Sequence, residues 1–519
     1  MHTQLPDELP APKRSLLCLL AGVFIIRLLY VFFFRPPLLG DESYYWDWGR
    51  RLDWGYFSKP PLIAWLMALV SWLGGSTELS LRIAPLIIGT ASLAMICSLA
   101  KQLYGQQTAY LTALIALATP ANAGLNLFLT IDAPLVFFWT AALGLFWSWT
   151  EKQGPLRLML PLTITLGLGI LSKQMMMLFP LFAILFLALN ADKRFLLRKT
   201  SLWVCFLTSY LFLTPVLLWN QSHGWITLKH TQHHFGGSEG SLLQRMPMNV
   251  LDFIGKQAGI LSPLIWFLLV LVIFFALFNF KHFGKRERYL IIFSGMPIAF
   301  MHLMSLRQIM QANWPAVYFI GAFILLAGWL NRSFEIPGLP LHFRQWKKPA
   351  LITGYLCVII VYSLSPALEA LGYAGHRKLD PYRRMLGWKE TATELQQYLD
   401  QVPHPEKTFV IALGHRYHAS EMAFYLPSQP RTYRWEPLDQ IASQYELWPN
   451  PIEDGKATWD ALILRPEDHS LRNKFRKSFE SVESVGKVVI KVSPLYERRF
   501  EVLLGKSIKH WPKGKALNP

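Results

Sequence analysis

The sequence predicts an all-α polytopic membrane domain over residues 1–370, followed by a soluble, extracytoplasmic α/β domain over residues 371–519. Three observations predict it. Long apolar runs recur from Leu16 to Ala370. Charged residues make up only 16% of the chain, where a soluble domain carries about 25%. After Gly372 the apolar runs shorten to strand length and alternate with amphipathic segments.

The first run, Leu16 to Phe34, is long enough to cross a bilayer. It is too long for a signal peptide and no small-residue cleavage site follows it, so we read a retained first helix. Further runs lie near 79–100, 108–122, 132–150, 156–171, 175–190, 201–219, 257–280, 289–303, 312–330 and 349–367. Together they make roughly eleven spans. Basic loops should alternate with non-basic ones and face the cytoplasm. Lys101, Lys152, Arg157, the run Lys193 to Lys199, Lys281, Lys285, Arg286, Arg288, Arg344, Lys347 and Lys348 all fall on the side of Lys13-Arg14. The outer side then receives the loops 35–78 and 220–256, the turns before Asp132 and at Lys173, the segment near Arg307, and the whole C-terminal region. The expected location is the cytoplasmic (inner) membrane, with the site and the C-terminal domain facing the periplasm or outside.

Asp41 to Leu52 has helical spacing, with Asp41, Tyr44, Tyr45 and Trp48 on one face. Such a helix would lie along the membrane interface with its aromatics at headgroup depth. Gly55 ends it, and Pro60-Pro61 opens an apolar segment, Leu62 to Leu73, of about a dozen residues, too short to span. In the C-terminal region, Leu386–Leu399 reads as an amphipathic helix, Ser420–Tyr425 as a short helix and Leu471–Phe479 as a basic helix. Thr408–Leu413, Asp460–Leu464, Val488–Val492 and Phe500–Leu504 read as strands. The net charge of +18 resides mostly in short loops, where it serves topology and contact with anionic lipid rather than nucleic acid. Cys18, Cys97, Cys205 and Cys357 all sit inside apolar runs, so there is no disulfide framework or zinc spacing.

Ionisable groups at the lip of a membrane are costly and point to function. Each also has a plain structural reading. Asp41 and Glu42 follow the first span as a general base or metal-binding pair, or as acidic residues favouring a helix dipole. Lys59, braced by Pro60-Pro61, suits a phosphate, or snorkels at the interface. Asp132, in Thr130-Ile131-Asp132-Ala133-Pro134, stands at a helix mouth, where capping is the alternative. Arg82 stands at another helix mouth, and Lys173 in a tight turn between two apolar helices. Tyr44, Tyr45, Trp46 and Tyr56 would stack on a substrate ring or flank a lipid. His223, His230, His233 and His234 form the one cluster with metal-like character, although His-x-x-x-His alone is weak evidence and a satisfied histidine is commoner. Of these we take His233 and His234 as substrate-binding. Asn313, in Asn313-Trp314-Pro315, opens an outer helix, where an interfacial tryptophan belt is the plain reading. Metal dependence is unknown, and a divalent cation stays open.

Taken together, Asp41-Glu42, Tyr44-Tyr45, Gly55-Tyr56, Lys59-Pro60-Pro61-Leu62, Leu81-Arg82, Thr130 to Leu135, Leu171-Ser172-Lys173 and Asn313-Trp314-Pro315 resemble the bacterial members of the protein O-mannosyltransferase superfamily. These are membrane glycosyltransferases of the GT-C fold and include the lipid A aminoarabinose transferase. The resemblance covers roughly the first 330 residues. It implies transfer of a sugar from a polyprenyl-phosphate-linked donor to an envelope glycan, glycolipid (lipopolysaccharide or lipid A) or protein acceptor outside the cytoplasmic membrane. It also implies that Asp41 is the catalytic carboxylate, with Glu42 in support, and that Asp132 is the second acidic position. Lys59, Arg82 and Lys173 would serve the donor phosphate. The interval from Asp41 to Lys59 is shorter than in the aminoarabinose transferase, which argues against the same sugar. The C-terminal domain matches no role in the resemblance.

The implied chemistry agrees with elementary expectation. A glycosyl phosphate has an activated leaving group, so positioning and charge stabilisation are the main tasks. A single displacement would invert the anomeric carbon. A transporter or flippase is the alternative, but transporters tend to place charges near the midplane of repeated halves, and this sequence has outer-end charges and no visible repeat. A membrane-anchored binding protein would not need so many spans.

Overall fold

The computed structural model describes residues 13–235, 242–437 and 440–511. The chain forms two compact units that do not follow a single cut at residue 370. One takes the chain up to Arg35, then Leu81–Pro215 and His234–Tyr362; the other takes Pro36–Ser80, Val216–His233 and everything from Ser363 onward. The loop after the first span thus belongs with the C-terminal fold.

The first unit is helical, and each apolar run of the sequence becomes helix. Among the described residues six helical stretches are long and apolar enough to cross a membrane: Ser15–Phe34, Glu78–Tyr104, Asp132–Glu151, Thr200–Ser222, Lys285–Ser305 and Leu341–Ala370. Gln106–Leu117 with Pro120–Leu127 makes a pair bent by 76°. Thr119 caps the second helix of that pair by accepting from the Asn122 amide, and Pro120 opens it. The span expected over 257–280 is also broken. Met246–Leu261 and Pro263–Phe278 meet at 112°, because Ser262 takes a left-handed φ of 72° and Pro263 starts a new helix. Leu156–Ser172, Gln174–Leu189 and Ala316–Leu330 are shorter apolar helical stretches.

Every residue of the helix Phe319–Leu330 is buried, which puts it at the centre of this unit. Around it Trp139, Phe146, Phe179, Tyr289 and Phe293 interlock in edge-to-face and tilted ring pairs, and the Tyr289 hydroxyl donates to the Leu143 carbonyl at 2.8 Å. The terminal spans Ser15–Phe34 and Leu341–Ala370 bury only 11% of their apolar windows, as lipid-facing helices should. Small residues let backbones approach, as is usual between membrane helices. A Cβ on Gly354 would lie 2.3 Å from the Ala118 carbonyl oxygen.

The second unit holds a five-stranded sheet in the order β2-β1-β3-β5-β4, with β1 Thr408–Leu413, β2 Thr432–Trp435, β3 Asp460–Pro466, β4 Phe479–Ser493 and β5 Tyr496–Ile508. β1 runs parallel to β2 and β3; β5 runs antiparallel to β3 and closes a long hairpin with β4. The expected strands are present, and β2 is an addition. The expected basic helix shrinks to Asn473–Arg476 because β4 already begins at Phe479. One face of the sheet packs Trp388, Leu395, Val410, Leu462 and Phe500, and the other packs Phe409, Ile411, Trp435, Ile463 and Phe475. The helices Gly40–Gly49, Leu62–Gly74 and Ile226–Phe235 belong to the same unit.

Replacing Gly354 by Ala should lower the thermal midpoint, costing about 1–3 kcal/mol by overpacking against backbone. Gly144→Ala, where a Cβ meets nothing within 4 Å, should instead raise it by up to about 1 kcal/mol of helix propensity. Calorimetry of the two variants checks the pair of signs.

Candidate active site

The helix Gly40–Gly49 begins after the extended N-cap Leu39, with Asp41 and Glu42 in its first turn. The two neighbouring acids have different fates. Glu42 is fully buried, and its Oε2 accepts from the Leu39 amide at 2.9 Å, so it is spent as a helix cap. Asp41 leaves 43% of its side chain open. Its Oδ1 accepts from the Tyr417 hydroxyl at 3.1 Å and from Arg416 Nη2 at 3.5 Å. Both partners stand at the start of the helix Arg416–Tyr425, which His415 caps by accepting from the Tyr417 amide. Burial, followed by the Asp41 charge, pushes the Tyr417 hydroxyl up to about 12, so it remains a donor to Asp41 over the physiological range.

The contact between these two helices is close. A Cβ on Gly40 would lie 2.4 Å from the Tyr417 ring. One turn on, Ser43 Oγ lies 2.9 Å from Ser420 Oγ and donates to Glu421 Oε1 at 3.1 Å. Glu421 is completely buried, and burial pushes its carboxyl up to about 8.

The aromatics expected to meet substrate are packed inside this unit. Tyr44, Tyr45, Trp46 and Tyr56 are all buried. The Tyr44 hydroxyl accepts from the Gln444 amide at 2.6 Å, Trp46 Nε1 donates to Ser76, and Tyr56 stacks on Trp48 at 4.5 Å. Their role is to build the unit, and none has an open face for a sugar. The helix they occupy is enclosed rather than laid out on an interface. Lys59 is half-buried in the stretch that leads to the helix Leu62–Gly74.

His223 stacks on Trp219 at 4.0 Å, and His230 lies 4.7 Å from the Phe57 ring. His233 and His234 fall within the helix Ile226–Phe235, but their side chains lie outside the described residues. Among the described residues no three His, Cys, Asp or Glu side chains are placed to hold a metal.

In the first unit the structure joins three residues singled out separately in the sequence. Asp132 opens the helix Asp132–Glu151, with Oδ1 accepting from Lys173 Nζ at 2.8 Å and Oδ2 from Asn313 Nδ2 at 2.6 Å. Lys173 sits at an extended break between two helical stretches. The Asn313 segment is held by Lys256 and Gln257, which donate to the Met310 and Ala312 carbonyls. Arg82 is fully buried, donates to the Leu127 carbonyl at 3.2 Å and lies over the Phe128 ring. It braces the approach to Asp132 and presents no open guanidinium to a phosphate. Lys173 likewise has its charge balanced by Asp132.

Sequence reasoning missed Arg416, Tyr417 and Glu421. They come from the C-terminal part and carry no motif. The only signal for them was Gly40, a glycine at a helix start where a close neighbour leaves no room for a side chain.

Comparison with known proteins shows what the chain is similar to. Over 95% of its length the chain matches the fold of ArnT from Cupriavidus metallidurans bound to undecaprenyl phosphate, covering 98% of that chain with a TM-score of 0.56 at 17% identity. This is the GT-C architecture: a mostly helical part with several apolar helices and a C-terminal sheet domain. Residues 58–219 match the family described as dolichyl-phosphate-mannose-protein mannosyltransferase. In sequence the chain is 28% identical over 321 residues to the lipid A galacturonosyltransferase RgtD of Rhizobium johnstonii, which covers 62% of this chain and 66% of that protein. It is 31% identical over 133 residues to the undecaprenyl phosphate-alpha-4-amino-4-deoxy-L-arabinose arabinosyl transferase of Erwinia tasmaniensis, covering 25% of this chain and 24% of that one. The chain is thus similar in sequence to a lipid A galacturonosyltransferase and to an undecaprenyl-phosphate aminoarabinose transferase, as its motifs indicated.

Glu421 supplies a pH test of the helix contact. The folded state holds its proton up to about 8, whereas the unfolded chain releases it near 4.5. Between those values the folded state binds the extra proton, so stability falls as pH rises. Glu421→Gln should remove that slope: its melting temperature should match the wild type near pH 4.5 and exceed it increasingly toward pH 8. Thermal scans across this range check the divergence.

Proposed function

We propose that the chain is a glycosyltransferase that moves a sugar from a polyprenyl-phosphate-linked donor to a lipid A-type glycolipid on the outer face of the cytoplasmic membrane. The observation that carries this reading is Asp41: an open carboxylate just after the first span, held by a tyrosine hydroxyl and an arginine. The names of the sequence relatives support the donor and the acceptor class. The basic loops on the side of Lys13-Arg14 support the orientation. Among the described residues six long spans, or eight with the two bent pairs, support a polytopic membrane domain.

In this reading Asp41 takes the proton of an acceptor hydroxyl as that oxygen attacks the anomeric carbon. The bond from anomeric carbon to phosphate oxygen breaks, and the carrier leaves as polyprenyl phosphate. One displacement inverts the anomeric centre. Lys59 stabilises the charge gathering on the leaving phosphate, where a fixed cation is most effective. Tyr417 and Arg416 hold the Asp41 carboxylate in place, so no reorganisation is needed as the proton arrives. Asp132 is engaged by two donors, so it acts by holding Lys173 and Asn313 rather than as a second base.

Asp41→Asn should lower kcat for sugar transfer by about 10²–10⁴-fold, with an unchanged melting temperature and elution volume. Turnover within a few-fold of wild type would reject Asp41 as the base.

A further inference from the structure

A cavity of about 380 Å³ in the second unit lies next to Asp41 and has a composition that the transfer reaction leaves unexplained. Arg383, Arg384 and Arg498 line it, together with His418 and the ring of Tyr417. Tyr417 is also the residue whose hydroxyl donates to Asp41. No carboxylate lines the cavity. Glu421 and Glu390 act on Arg498 from outside the lining, but the three guanidinium groups share a wall with no carboxylate on it, and a bound anion would relieve their repulsion.

Two of the three guanidinium groups are fixed in advance. Arg498 lies 4.0 Å over the Trp388 ring, and Arg383 lies 4.5 Å over the Tyr496 ring. Arg498 Nη2 donates to the Arg384 carbonyl at 2.9 Å, and its Nε donates to the Leu386 carbonyl. Arg383 Nε is a buried donor with no acceptor among the described residues. The Arg384 side chain is exposed and makes no hydrogen bond among them. The local field is positive. Burial and neighbouring arginines, Arg384 among them, hold His415 down at about 4, and burial holds His418 there too. Glu421, which lies near Arg498, keeps its proton up to about 8.

We propose that this cavity is a phosphate-binding subsite that anchors a phosphorylated sugar headgroup of the acceptor glycolipid beside Asp41. Planar guanidinium forks match phosphate oxygens. The volume falls within the usual range for small-molecule clefts, about 300–1,000 Å³, and accommodates a phosphorylated monosaccharide unit. The rings of Trp388 and Tyr496 hold Arg498 and Arg383 in place and offer apolar surface to the sugar. The proposal rests on the reading of Asp41 as the base, since the subsite would set which acceptor hydroxyl reaches it.

The test uses the full chain in detergent and a glucosamine-disaccharide glycolipid with and without its phosphates. Calorimetry gives Kd, and transfer kinetics give KM and kcat. Wild type should bind the phosphorylated form about 10–100-fold more tightly than the dephosphorylated form, as expected for charge-assisted hydrogen bonds. Arg384→Ala should erase most of that preference in both Kd and KM, Arg384→Lys should retain part of it, and Lys491→Ala, an exposed charge outside the cavity, should retain all of it. Equal affinity for the two glycolipids overturns the subsite. So does a preference that survives Arg384→Ala. If wild type shows the binding preference and Arg384→Ala abolishes it while no acceptor is glycosylated, the subsite stands and the transferase reading fails. If transfer proceeds without any preference for phosphate, the reading stands and the subsite fails.

Discussion

The packing of the helix Gly40–Gly49 on the helix Arg416–Tyr425 is the contact on which the candidate site depends. Its two sides are 376 residues apart in sequence, so Asp41 gains its partners only when the C-terminal fold is complete. Gly40 allows the approach because any side chain there would strike the Tyr417 ring. Ser43, Ser420 and Glu421 then secure the next turn with buried hydrogen bonds. Buried polar networks of this kind specify one arrangement when satisfied and cost heavily when disturbed. The first outer loop is therefore a built part of a folded unit.

Burial separates the charges that build from those that react. Glu42, Arg82 and Asp132 are all buried and engaged with neighbours. Desolvation makes such groups expensive unless their hydrogen bonds are satisfied, and here those bonds cap a helix, brace a loop and join three segments. Asp41 is different because it keeps an open side and yet is fixed by two donors. Fixation with access is what proton transfer requires.

Much of the membrane architecture was legible because apolar runs have few alternatives: all eleven predicted runs coincide with helices. What was not legible were the breaks. Ser262 with its left-handed φ, and Thr119 before Pro120, bend segments whose composition reads as continuous. The candidate site was legible in part. Asp41, Asp132, Lys173 and Asn313 stood out as polar groups at apolar helix ends, and three of them meet. Tyr44, Trp46 and Tyr56 were misjudged because an aromatic cluster after a span reads the same whether it faces lipid, sugar or a protein core. The partners that bury it, Tyr445, Phe424 and Trp48, include two from the distant C-terminal part. Arg416 and Tyr417 were invisible for the same reason: the contact is tertiary and leaves no periodic trace in sequence.

The proposed reaction moves a sugar from a polyprenyl phosphate to a glycolipid. The most direct measurement is mass spectrometry of both lipids after the purified chain is reconstituted in liposomes with a polyprenyl-phosphate sugar and lipid A. The acceptor should gain the mass of one sugar while an equal amount of free polyprenyl phosphate is released. An unmodified acceptor, with the donor intact or merely displaced across the bilayer, would contradict it.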